Sequence, residues 1–252
     1  MNLRVDLNAD LGEGAGHDVE LLTLVSSASI ACGIHAGEPV AILRSLKDAR
    51  DAGVAVGAHP SLNDRETFGR KELPVAPDEV FALVVYQVAA LHALANTLGF
   101  RPNHVKPHGA LYNMAARDPA LADAVCRAVA KVEKSLVLFA PNDSALARAA
   151  APHGLSVAHE VFADRNYLDD GSLVPRSRGD ALLHDPEKAA SRVLRMLREG
   201  VVRSVDGNDV QVRAETICLH GDTPRAVEFA GVLRAQLEKE DVVIKAPNVL
   251  HE

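Results

Sequence analysis

The chain reads as an α/β protein whose parallel strands close into a (β/α) barrel, and two observations predict it. Strand-like and helix-like segments alternate from one end to the other, which implies parallel strands joined by right-handed crossovers. Seven or eight such units favour closure over an open sheet. Short apolar runs also keep ending in polar residues: His35, His59, His108 and His220 each stand just past such a run. A barrel presents its chemistry from the C-terminal ends of its strands, so residues far apart in sequence meet at one mouth.

The units follow in order. Residues 3–8 read as the first strand and 19–27 as the first helix. Residues 29–32 form a strand before a helix at 39–52, and 54–58 lead through a polar loop to a long helix from Pro77. Residues 104–106 precede a helix at 119–132. Residues 136–140 are followed by a helix at 144–151, with Asp143 as its cap. A strand at 155–159 runs into a turn-rich loop and a helix at 186–198. Strand 216–219 leads to a helix at 224–237, and 241–245 make a last strand. Segments 201–205 and 210–213 flank Asp206-Gly207-Asn208-Asp209, the pattern of a β-hairpin. The whole is expected to be a single barrel domain over residues 1–252, with that hairpin, near 201–213, as an excursion.

Bulk properties bound the function. At 252 residues the length suits one barrel, and 48% hydrophobic content with only 4% aromatics demands an aliphatic core. A formal charge of −7 argues against nucleic acid, which needs clustered Lys and Arg. Cys32, Cys126 and Cys218 are an odd count without Cys-x-x-Cys spacing and read as buried free thiols. Residues 80–98 are strongly apolar but contain Gln87, His92 and Asn96, so they read as a helix buried on a sheet, not a membrane span. With no leader pattern, a cytoplasmic location and no membrane partner are expected.

Candidate chemistry lies at the strand ends. Asp6, Asn8 and Asp10 alternate along the first strand and share a face, which in a barrel points inward. Asp10 and Glu13 then stand where general bases or metal ligands belong, the competing use being loop and helix capping. His35, His59, His108 and His220 are candidates for proton transfer. Asp10, His59 and His108 are also metal candidates; a divalent metal is allowed but not indicated, since no His-x-x-x-His pair occurs. Lys106 is placed to hold a carboxylate or an oxyanion. Asp164 and Arg165 supply an acid and a planar carboxylate-binding fork, and Arg70, Lys71, Arg176 and Arg178 add to the expectation of a small anionic substrate. Asn8, Glu13, Lys106, Asp164 and Arg165 form the expected binding set. The Gly12–Gly16 run lacks both the Walker and the dinucleotide spacing, so no nucleotide site of a recognised type is present.

Read together, Asp6-Leu7-Asn8-Ala9-Asp10-Leu11-Gly12-Glu13-Gly14, Ala31-Cys32-Gly33-Ile34-His35-Ala36-Gly37-Glu38-Pro39, Gly57-Ala58-His59-Pro60-Ser61, Phe68-Gly69-Arg70, Val105-Lys106-Pro107-His108-Gly109-Ala110-Leu111-Tyr112-Asn113, Phe162-Ala163-Asp164-Arg165-Asn166-Tyr167, Val174-Pro175-Arg176 and Cys218-Leu219-His220-Gly221-Asp222 resemble the LamB/YcsF family. Departures are small: Ile34 where Phe is usual and Glu38 where Asp is usual. The resemblance implies a seven-stranded barrel akin to those of glycoside hydrolases and deacetylases. It also implies cleavage of 5-oxo-L-proline to L-glutamate, with ATP as co-substrate, in a complex with 5-oxoprolinase subunits B and C. Two other readings stand beside it: a stand-alone metal-dependent deacetylase or carbohydrate hydrolase, and a non-catalytic docking subunit. Self-association is left open.

Overall fold

A computed structural model describes residues 3–219 and 225–247. Strand β1 (Arg4–Leu11) alternates strictly: Val5, Leu7, Ala9 and Leu11 join the apolar layer under the helices, and Asp6, Asn8 and Asp10 face the other way. It pairs in parallel with β2 (Ser27–Ala31) on one side and with β9 (Thr216–Leu219) as well. Between those two run β3 (Ala55–His59), β4 (His104–Val105), β5 (Val137–Pro141) and β6 (Val157–Phe162), all parallel, with β6 pairing to β9. The β1–β9 pairing closes the ring into a seven-stranded parallel barrel. The short β10 (Val243–Ile244) adds to β1 at Arg4 and Val5, at the end away from the mouth.

The helices follow from local signals. Between β2 and β3, α2 (Pro39–Asp51) starts on a proline and buries Ile42, Leu46 and Ala49, one helical stripe. Helix α5 (Pro119–Val132) is capped by Asp118, whose carboxylate accepts from the backbone N–H groups of Ala120 and Leu121. Helix α7 (Pro186–Glu199) is capped in the same way by Asp185 and stops at Gly200, which is left-handed at φ 69°. The two-stranded excursion, β7 (Val201–Arg203) and β8 (Asp209–Gln211), pairs antiparallel before β9. Helix α8 (Ala226–Lys239) follows β9 in the described chain.

Helix α3 (Pro77–Thr97) is long and apolar enough to cross a membrane by length and composition. In the fold it lies on the barrel, packed against α5 and β3 through Val80, Val84, Val88, Leu91 and Ala95. Gln87 lies buried on that face, and its side chain both accepts from the Ser61 N–H (2.9 Å) and donates to the Ser61 carbonyl (2.8 Å). A polar residue inside an apolar helix is here the clamp that holds the chain just past His59.

Four expected boundaries are corrected. The first helix, α1 (Asp18–Leu22), ends five residues short of the expected stop. Ser26 is taken by β1 instead, bonding the Leu7 carbonyl through its N–H and the Asp6 carboxylate through its hydroxyl. A further helix, α4 (Gly109–Arg117), intervenes before α5. The expected helix at 144–151 is only α6 (Ala145–Ala150) plus a 3-10 turn. Strand β6 begins two residues later and runs three further than expected, which places Glu160 inside the barrel wall.

The barrel interior is polar to an unusual degree. Ser27, Ser29, His104, Lys106, Glu160 and Thr216 are all buried, alongside Asp6 and Asn8. Below the mouth, the His104 ring stacks on Phe139 (4.2 Å, 3° between planes) and meets the Ser29 hydroxyl at 3.2 Å. Gly57 is its register partner on the adjacent strand β3: a β-carbon there would stand 2.1 Å from the ring, so only glycine admits this histidine.

Candidate active site

At the C-terminal mouth two connected groups of side chains meet. The first is centred on Lys106, at the end of β4. Its ammonium donates to Asn8 Oδ1 (2.9 Å) and lies 2.7 Å from Asp10 Oδ1 and 3.1 Å from Glu160 Oε1. It also donates to Cys218 Sγ (3.2 Å), so the ammonium is surrounded by three oxygens and a sulfur inside the protein. Burial opposes charge on this lysine, yet Asp10 and Glu160 outweigh it and raise its pKa well above the ordinary value. Asn8 is held in one orientation: its Nδ2 donates to Thr216 Oγ1 (2.7 Å) and to Glu160 Oε1 (3.1 Å), which leaves Oδ1 to accept from Lys106. The Thr216 hydroxyl in turn donates to Asp6 Oδ2 (2.6 Å), and burial lifts the Asp6 carboxyl to about 6. The Tyr112 hydroxyl faces Glu160, and burial with that carboxylate raises its pKa well above the ordinary value.

The second group is three imidazoles and a carboxylate. His59 ends β3, His35 follows β2, His108 precedes α4, and Glu13 lies in the glycine-rich loop after β1. His35 and His108 stack face to face (3.8 Å, 3°), and His59 stands edge-on to both. His35 Nε2 lies 2.9 Å from Glu13 Oε1, His108 Nδ1 lies 2.9 Å from His59 Nε2, and His59 Nε2 lies 3.4 Å from Asp10 Oδ2. Asp10 thus joins the two groups.

The outer nitrogens are fixed by carbonyls, which only accept: His59 Nδ1 donates to the Lys106 carbonyl (2.7 Å) and His108 Nε2 to the Phe68 carbonyl (2.8 Å). Phe68 provides that carbonyl from a left-handed backbone at φ 59°, a conformation that costs energy in a bulky residue. Asp64 holds the turn there, accepting from the Thr67 hydroxyl and from the Lys71 N–H (3.2 Å). Gly109 lies so close to the Gly69 carbonyl that a β-carbon would stand 2.5 Å from it.

Burial, reinforced by the charge on His59, lowers the pKa of His35 to about 3 and that of His108 to about 2, so both stay neutral. His59 goes the other way: burial opposes its charge, but the Asp10 carboxylate raises its pKa above the ordinary value. An aspartate and a histidine with opposed charges, beside two neutral imidazoles, can pass a proton along a short path. The donor atoms of Glu13, His35, His59 and His108 also lie within 4.8 Å of one another, close enough to hold one metal ion. This set differs from the expected metal candidates, since it contains Glu13 and His35 and leaves Asp10 to Lys106.

Seven of the candidate residues, Asn8, Asp10, Glu13, His35, His59, Lys106 and His108, are therefore brought together. Asp164 and Arg165 are not bonded to them. Arg165 is buried and donates to the Val174 carbonyl (2.6 Å), while the Asp164 carbonyl accepts from Leu183, so the pair ties down the loop that follows β6. His220 lies outside the described residues. Sequence reasoning missed Glu160, because the expected strand stopped at residue 159 and left it in a loop. A single acidic residue in step with Ala158 and Phe162 was its only signal. The Phe68 carbonyl had none, being backbone.

The LamB/YcsF family profile matches residues 5–251. The chain belongs to the LamB/YcsF family. A LamB/YcsF relative from Bacillus licheniformis, described as the A subunit of 5-oxoprolinase, is 46% identical over 248 residues, covering 96% of this chain and 98% of its own. Among solved structures, a lactam utilization protein from Thermus thermophilus superposes with a TM-score of 0.91 at 46% identity, over 97% of this chain and all of that one. A putative cellobiose-phosphate cleavage protein from Enterococcus faecalis, 14% identical over 97% of each chain, has a TM-score of 0.57 and shares the fold alone.

Proposed function

We propose that this chain opens a small cyclic amide, 5-oxo-L-proline, to L-glutamate, as the A subunit of a 5-oxoprolinase in which subunits B and C help couple the step to ATP hydrolysis. The whole-length likeness to a relative described as the A subunit of 5-oxoprolinase supports the substrate. The observation that carries the chemistry is the Asp10–His59–His108 contact chain at the barrel mouth.

A lactam amide resists water, so its carbonyl needs activation. Transfer of a phosphoryl group from ATP to the amide oxygen makes that oxygen a leaving group. Water then adds to the activated carbon as a base removes its proton, the ring C–N bond breaks with protonation of nitrogen to leave an acyl phosphate, and a second water hydrolyses that to the carboxylate and phosphate. Asp10, ion-paired with Lys106, takes the proton from water, and the His59 imidazolium passes its own proton through His108 toward the leaving nitrogen. Lys106 acts through Asp10, because its own protons are spent inside the protein. The lack of a recognised nucleotide motif in the sequence supports leaving ATP handling to the partner subunits, and use of ATP fits a cytoplasmic location.

The test is glutamate release from 5-oxoproline by the reconstituted three-subunit complex. ATP-dependent release that is abolished in His59→Ala and His108→Ala, with folding retained, is the expected result. Release by the isolated chain with a divalent ion and no ATP would replace this reading with a metal-dependent hydrolase. Near-normal turnover in both variants would remove these histidines from the mechanism.

A further inference from the structure

The loop after β6 holds a cation that the protein does not itself neutralise. Arg165 is only 7% exposed, and a guanidinium stays charged at any working pH. One of its N–H groups donates to the Val174 carbonyl (2.6 Å). Its Nε is buried without an acceptor, and Arg165 forms no ion pair among the described residues. Burial opposes its charge, and so does Arg176 on the same loop; Asp164 offsets them only in part, which leaves the pKa below the ordinary value. Arg176 is exposed and likewise has no carboxylate partner among the described residues. Two guanidiniums that repel each other, one of them stripped of water, suit the paired oxygens of an anion. Their neighbours differ. Arg178 is paired with Asp180 at 2.6 Å, and half-buried Arg192 has Asn166 Oδ1 (2.7 Å) and the Ala163 carbonyl as acceptors for its two Nη groups.

The fold brings this pair to the barrel mouth. Strand β6 leaves β9 where the Ala163 N–H donates to the Cys218 carbonyl (3.3 Å), so Arg165 stands just past the C-terminal end of the strand. It interacts electrostatically with the Cys218 thiol, to which Lys106 donates at 3.2 Å. Lys106 is already surrounded by protein acceptors and His59 faces Asp10, so neither is at liberty to take up an added anion. We infer that Arg165 and Arg176 hold the carboxylate of the lactam substrate, the first as a buried fork and the second as an exposed cation. This rests on the lactam reading above and names the residues that select an acid over a plain lactam. The carboxylate of 5-oxoproline sits on the ring carbon beside nitrogen, so anchoring it fixes where the ring carbonyl lies relative to Asp10 and His59.

The test is steady-state kinetics of the three-subunit complex at saturating ATP, with 5-oxo-L-proline and with 2-pyrrolidinone, the same ring without the carboxylate. 2-Pyrrolidinone is followed as a substrate or, where it is not opened, as a competitive inhibitor. Arg165→Gln and Arg176→Gln should each raise the KM for 5-oxoproline by about tenfold or more, the loss of a charge-assisted hydrogen bond. The kcat should stay within about twofold, as for a contact made equally in ground and transition states. The KM or inhibition constant of 2-pyrrolidinone should not move. Arg165→Lys, which keeps a cation without the fork, should recover part of the affinity. Arg203→Gln, on the β7–β8 excursion and paired with Asp209 (3.2 Å), should behave as the parent does. An unchanged KM for 5-oxoproline in the folded variants, an equal loss with both lactams, or a fall in kcat alone overturns the assignment. Should Arg165→Gln fail to fold, Arg176→Gln decides, since its side chain is exposed. A parent complex that releases no glutamate overturns the lactam reading itself; a working parent with indifferent variants overturns this assignment alone.

Discussion

Lys106 carries its charge inside the barrel only because two carboxylates meet it there. Removing it takes the ammonium from between Asp10 and Glu160 and leaves the buried Glu160 carboxylate facing no lysine. Lys106→Met should therefore destabilise the fold by about 3–5 kcal/mol, as expected when one partner of a buried ion pair is deleted. Adding Glu160→Gln to that variant should restore part of the loss, because the uncompensated charge goes with it. Urea unfolding of the two variants measures this, and no recovery in the double variant would show that the lysine stabilises by packing alone. His104 allows a second prediction at this scale. Burial lowers its pKa to about 3, so the unfolded chain binds a proton there between that value and 6.5 while the folded chain does not. Stability on this account falls as pH drops below 6.5, with a slope of up to ~1.4 kcal/mol per pH unit from this residue. His104→Leu should flatten the urea-midpoint curve between pH 6 and pH 4, and an unchanged slope would contradict the assignment.

Elements position the mouth by clamps that leave no mark on hydrophobic pattern. Helix α3 holds the chain after His59 through the paired Gln87–Ser61 hydrogen bonds. Gln87→Leu keeps the helix apolar but strands the buried Ser61 N–H and carbonyl, each costing about 1–3 kcal/mol. A destabilisation of at least ~2 kcal/mol by urea unfolding is expected, together with lost activity in the complex as His59 shifts. The loop between β3 and α3 is a second clamp, since Asp64 gathers the turn that aims the Phe68 carbonyl at His108. Asp64→Ala should cost about 1–2 kcal/mol, in the range of a lost capping carboxylate. Because it also frees the far nitrogen of His108, it should reduce turnover more than stability. Equal turnover in the complex would mean that the carbonyl does not set the ring.

Over the whole molecule the barrel closes through β1, which pairs with β2 and β9 and carries Asn8, Asp10 and, just beyond its end, Glu13. The closure joins residues more than two hundred positions apart: Asn8 bonds Thr216, and Asp6 accepts from the same threonine. The polar interior is held by hydrogen bonds and ion pairs through Asp6, Asn8, Lys106, Glu160 and Thr216, while Ser27 Oγ, His104 Nδ1 and Glu160 Oε2 have no hydrogen-bond partner among the described residues.

Much of this was legible in the sequence. Alternating βα units gave a barrel, the polar face of β1 showed as Asp6, Asn8 and Asp10, and histidines closing short apolar runs marked the mouth. Helix-end signals such as Pro119 and Pro186 placed their helices closely. Other features were silent. The role of Glu160 hung on three residues of strand length, that of Gln87 on a neighbour twenty-six positions away, and the Phe68 carbonyl on a backbone turn. Arg165 reads in the sequence as an anion fork, and in the fold one of its N–H groups donates to the Val174 carbonyl, a contact no local pattern marks.

The sequence alone thus determined which chemical groups stand at the strand ends, because strand periodicity and turn residues are local properties. Only the tertiary structure decided how they pair: that Lys106 meets Asp10, that His59 Nε2 and His108 Nδ1 share a hydrogen bond, and that Glu13 lies against His35. Hydrogen-bond partners and tautomers are set by distances across a closed barrel, and closure is a property of the whole chain that no local pattern encodes.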